Sequence, residues 1–112
     1  MLQNFRSDRS ESKMGALNAG VKSAIRKMLE LSTAHISPEA NQWLSEDEHG
    51  ELIVYDKHIY GYWILVPETG TELTDVPKEV RDIIQIAVNE GCSWIMLDGD
   101  APIVDGLPTF DW

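Results

Sequence analysis

The stretch ELIVYDKHIYGYWILVP, residues 51–67, limits the folds open to this chain more than any other. Leu52–Tyr55 and Ile59–Val66 are dense in β-branched and aromatic residues, which pack well on a pleated surface. Asp56, Lys57 and His58 lie between them, so the pair reads as an antiparallel hairpin. Side chains alternate between the two faces of a strand, and in the second strand both faces are apolar. Trp63 and Leu65 point one way, and Tyr62, Ile64 and Val66 the other. Such a strand is central and covered on both sides, or it offers one face to something else. Pro67 ends it.

The remaining elements follow from spacing and caps. Residues 1–13 are polar and read as a flexible tail. Met14, Leu17, Val21, Ile25 and Met28 recur at steps of three and four, the stripe of an amphipathic helix, with Lys22 and Arg26 on another face. Residues 14–28 are therefore a helical extension, and 29–112 a single domain. A strand is predicted near residues 30–36. Ser37 and Pro38 then open a helix carrying Ala40, Trp43 and Leu44. Pro77 opens the clearest helix, with Val80, Ile83, Ile84, Ala87 and Val88 on one side, and Gly91 is placed to close it. Ser93–Leu97 is a short buried strand. Without the first helix the order is β-α-β-β-α-β, the split arrangement of ferredoxin-like domains. The expected class is α+β, an antiparallel sheet with both helices on one face, an N-terminal helix and a packed C-terminal tail. The second sheet face needs cover, for which the residue 14–28 helix and Ile103, Leu107, Phe110 and Trp112 are candidates.

Charge narrows the partners. The net charge of −10 is unevenly spread: residues 1–31 balance to +3 and residues 32–112 to −13. So acidic a body repels phosphate backbones and anionic lipid, which argues against direct nucleic-acid binding and membrane association. A host protein with a basic surface is the easier partner. The opening residues lack the apolar run of a signal peptide, and no stretch reaches the roughly 20 apolar residues of a membrane span. Cytoplasmic location is the expectation. Cys92 is the single cysteine, so no intrachain disulfide forms.

Chemical motifs are sparse. Asp98, Asp100, Asp105 and Asp111 fall within fourteen residues, but counting from Asp98 the sixth position is Ile103, where a calcium loop of the EF-hand type needs glycine. Asp98-Gly99 and Asp105-Gly106 are ordinary turn dipeptides. A weak Mg²⁺ or Ca²⁺ site at Asp98, Asp100 and Asp105 is the alternative. His35, His49 and His58 lack zinc-type spacing, and there is no glycine-rich phosphate loop. No cofactor is predicted. Trp94, Leu107, Phe110 and Trp112 are read as anchors of the tail, with the Trp112 indole buried as a clamp.

MLELSTAHISPEANQWL, YGYWILVP and AVNEGCSWIMLDGDAPIVDGLPTFDW resemble a small bacterial family, domain of unknown function 5983, across residues 28–112. The resemblance implies a setting on plasmids, phages or integrated elements and carries no activity. The expected function is a non-enzymatic acidic interaction domain, an inhibitor of the anti-restriction or anti-CRISPR type that fills the nucleic-acid groove of a host defence protein. Glu46, Asp47, Glu48, Asp98, Asp100 and Asp105 would supply the phosphate-like charge. The alternatives are a small metal-dependent hydrolase or phosphotransferase at Asp98 and Asp100, and a homodimer joined through the residue 14–28 helix or the second sheet face.

Overall fold

A computed structural model of the chain describes residues 18–112. The tail expected over residues 1–13 and the first residues of the helix expected from Met14 lie outside the described residues. The elements are α1 (residues 18–24), β1 (Met28–Ser32), α2 (Pro38–Leu44), β2 (Ile53–Asp56), β3 (Gly61–Leu65), α3 (Lys78–Asn89) and β4 (Trp94–Asp98). A 3₁₀ turn at Thr33–His35 links β1 to α2. No described helix is long and apolar enough to cross a membrane.

Local chemistry sets the helix ends. Ser37 has extended backbone and its Oγ accepts the Ala40 N–H at 3.1 Å, while Pro38 fills the first helical position where no N–H is needed. At the far end of α3, Gly91 takes the left-handed conformation (φ 74°). Its N–H bonds Val88 O and the Cys92 N–H bonds Ala87 O, the two reversed bonds that satisfy a helix's last carbonyls.

The strands form one mixed sheet in the order β1-β4-β3-β2. β2–β3 and β3–β4 are antiparallel, and β1–β4 is parallel. The fold is therefore α+β, but the sheet is not the antiparallel ferredoxin-like one expected. Element order leaves open which of the first and last strands lies inside. Composition explains the outcome: Trp94–Leu97 is apolar at every position and takes an interior place, whereas β1 carries Glu30 and Ser32 and takes an edge. β1 also stops earlier than the predicted residue 36, because Ser32 Oγ accepts the Ala34 N–H at 3.1 Å and starts the 3₁₀ turn.

Register then sorts the side chains into two faces. Leu31, Leu97 and Tyr62 align in one row, and Leu29, Ile95, Ile64 and Val54 in the next. These rows meet Ala40 and Leu44 of α2 and Val80, Ile83, Ile84 and Ala87 of α3 in one core. Both helices thus cover the same face. The opposite parity puts Met28, Trp94, Leu65 and Ile53 in a row, beside Glu30, Met96, Trp63 and Tyr55. Trp63, Leu65, Trp94 and Met96 are half-buried, and Met28, Ile53 and Tyr55 are exposed. No described element lies over this second face. α1, which could have covered it, is exposed along its whole described length.

The C-terminal segment does not cover that face either. It runs beside the β1 edge, where Pro102 O accepts the Ser32 N–H at 3.1 Å, and on to the 3₁₀ turn and α3.

Candidate functional site

The β2–β3 turn, the ends of β1 and β4, and the tail enclose an open concavity of about 640 Å³. Thr33, Asn41, His58, Tyr60, Asp100 and Trp112 are among its lining residues. His58 holds φ 56°, an uncommon conformation for a residue with a Cβ, which makes the turn tight enough for the Tyr60 N–H to reach Lys57 O at 3.0 Å. Among the described residues, Thr33, His58 and Asp100 share no hydrogen bond. The concavity's aromatic rings and carboxylate suit contact with a cation.

Lys57 and Asp98 close the bottom of the turn. Lys57 Nζ lies 2.6 Å from Asp98 Oδ2 and stands over the Tyr60 and Trp63 rings, 5.3 and 5.5 Å from their centroids. The pair spans β3 at Gly61, opposite Asp98 in register, where no side chain intervenes. Asp98 Oδ1 accepts the Asp100 N–H at 2.7 Å, so both oxygens are engaged. The Lys57 hydrogen bond foremost, with the Asp100 N–H, holds the Asp98 carboxyl below its ordinary 3.8, against the opposing effect of burial. A depressed carboxyl contributes stability that is complete above the ordinary value and is lost as pH falls below it. The unfolding midpoint in urea is therefore expected to fall on acidification below 3.8, and Asp98→Asn to flatten that fall. An unchanged acid limb in the variant would contradict the assignment. Glu79 adds a second acid-sensitive contact: burial pushes its carboxyl up, but hydrogen bonds from the Ser37 hydroxyl, its own N–H and the Ser37 N–H outweigh it and leave it below 4.5.

The acidic residues picked out by sequence separate into four places. Asp98 is only 7% exposed and spends its charge on Lys57. Asp100 stands exposed at the concavity and Asp105 exposed further along the tail. Glu46, Asp47 and Glu48 are exposed in the loop after α2. Apart from the Asp100 N–H on Asp98 Oδ1, no hydrogen bond or ion pair among the described residues joins these sets. Asp98, Asp100 and Asp105 do not form a ligand set, and no group of three or more metal-binding side chains converges among the described residues.

The tail anchors behave unevenly. Leu107 packs on the core, and Trp94 and Phe110 are half-buried. Trp112 departs from the predicted buried clamp: the residue is 59% exposed, and its Nε1–H donates to Ile36 O at 3.0 Å. One bond fixes the indole's edge, and the residue lines the concavity. His35, which sequence spacing dismissed, is the hub of the tail. It is buried, its Nε2 accepts the Val104 N–H at 3.0 Å, and Nδ1 donates to Pro108 O at 2.8 Å. A lone histidine between apolar residues gave no sign of partners some seventy positions away. His49 is likewise structural, its Nε2 on Leu44 O and its ring edge-on to Trp43.

Comparison with curated proteins and with solved structures gave no match. The family model described as "Family of unknown function (DUF5983) C-terminal domain" matches residues 28–112, from the first residue of β1 through the tail. The chain belongs to the DUF5983 family.

Proposed function

We propose that this chain is a non-enzymatic protein-binding domain that takes a basic partner. The observation carrying the proposal is that its acidic surface is largely uncompensated. Residues 32–112 hold sixteen Asp and Glu, yet ion pairs among the described residues engage only Asp98 and Asp82. The exposed carboxylates of Glu46, Asp47, Glu48, Asp100 and Asp105 are thus available to an incoming cation. At the concavity an arginine or lysine would meet the Asp100 carboxylate and the exposed Trp112 indole. The mobile-element setting implied by the resemblance fits a finer reading. The domain would sit in the cytoplasm in the nucleic-acid groove of a host restriction or CRISPR nuclease, its carboxylates standing in for phosphates.

The test is competition. DNA cleavage by a purified host nuclease is measured with increasing amounts of the protein and at several salt concentrations. Inhibition that weakens steeply with salt, and that falls when Asp100 and Asp105 become asparagine, is the expected outcome. Inhibition indifferent to salt and to both substitutions would refute an electrostatic contact. Absence of binding to any basic partner at low salt would remove the proposal.

A further inference from the structure

Among the described residues two apolar surfaces have no partner, and they match. One is the second sheet face, centred on Trp94, Trp63 and Met96 with Met28 and Ile53 at its rim. Monomeric domains rarely leave an extended apolar patch in water. The other is the apolar side of α1 and its end: Val21 is 49% exposed and Ile25, just past the helix, 64%, and in sequence Leu17 and Met14 precede them at steps of three and four. Charge matches as well. Glu30 stands exposed on the β1 border of the face, and Lys22 and Arg26 flank the stripe.

We infer that the second sheet face is covered by α1 of a second copy of this chain, the two copies exchanging helices about a two-fold axis. The linkage favours exchange over folding back. Residue 24 ends α1, while Lys27 is already fixed to the sheet: its O accepts the Ser93 and Trp94 N–H groups at 2.9 and 3.3 Å, and its Nζ donates to Glu90 O at 2.6 Å. Only Ile25 and Arg26 remain to redirect the chain. Both are committed to the helix end, Ile25 N–H on Lys22 O and the Arg26 guanidinium on Ser23 O and Ile25 O. The helix so held stands clear of its own sheet with its stripe outward, the geometry of a protomer whose arm belongs to a partner. An isologous pair buries both faces and both stripes at once.

The experiment uses the full chain and light scattering after gel filtration, from low micromolar to near-millimolar concentration. The expected mass is twice 12.6 kDa. Val21→Glu with Ile25→Glu, both at exposed positions outside the sheet, should return a single-copy mass with Trp94 and Trp63 emission shifted to the red. Lys22→Glu and Glu30→Lys should each weaken pairing by roughly an order of magnitude, and mixing the two variants should restore it, because opposite charges then meet at both contacts. A single-copy mass at every concentration would overturn the inference, whether or not α1 folds onto its own sheet. So would a pair indifferent to the Val21 and Ile25 changes, or charge variants that mixing fails to rescue.

Discussion

Gly61→Ala is expected to abolish the folded state. A Cβ at this position would lie 1.7 Å from Leu97 O and 2.6 Å from Leu97 C. These are backbone atoms of β4, the inner neighbour of β3, and cannot swing aside as a side-chain tip would. The φ of 152° adds a conformation that residues with a Cβ rarely adopt. Relief requires prising the two central strands apart, which breaks their ladder and lifts Lys57 from Asp98. A small domain is stable by about 5–15 kcal/mol, and a cost above roughly 4 kcal/mol belongs to the severe class of single substitutions. Urea unfolding followed by tryptophan emission is the measurement. Gly70→Ala is the control: it shares a positive φ of 93° but has no atom within 4 Å of the added methyl, so it should cost about 1 kcal/mol. Equal losses in the two variants would show that backbone conformation, not the close approach of β3 to β4, is the cause.

The second large effect is expected at His35. Because Nε2 accepts a backbone N–H, the ring proton resides on Nδ1, and the neutral imidazole bridges Val104 to Pro108. His35→Ala leaves that N–H and that carbonyl without partners and opens a void under the tail. Together these should cost about 2–4 kcal/mol. The loss should concentrate in residues 102–112. Amide exchange at Val104 and Phe110 should quicken while the β3–β4 ladder stays protected, and Trp112 should lose its bond to Ile36 O. Uniform acceleration across the sheet would mean that the tail and the core open as one unit. Because Trp112 lines the concavity, this variant should also weaken a basic partner without altering a single acidic residue.

Legibility in the sequence followed the range of the interactions involved. α3 was readable from end to end because its stripe, the Pro77 start and the Gly91 stop are all local. Ser37-Pro38 announced α2 for the same reason, and the hairpin declared itself through its β-branched and aromatic runs. Strand order was not readable, since pairing β1 with β4 is a decision between residues more than sixty positions apart. His35 was missed on the same ground. The two-sided apolar character of β3 signalled a second face in need of cover but not what lies on it, and the off-parity residues Met28, Ile53, Tyr55, Trp94 and Met96 extend that face across all four strands. Of the acidic residues, composition could count charges but not assign them. Nothing local distinguishes Asp98, tied to Lys57 across Gly61, from Asp100 two residues on.

The strip of tail beside β1 also governs how copies can aggregate. A ribbon that lengthens by strand addition needs two free borders on every member, one to receive and one to extend. Here Pro102 occupies the Ser32 amide on one border, while the outer backbone of β2 has no described partner. Strand addition at the Ser32 end of β1 must first displace that strip, so loosening it at His35 should ease fibre formation.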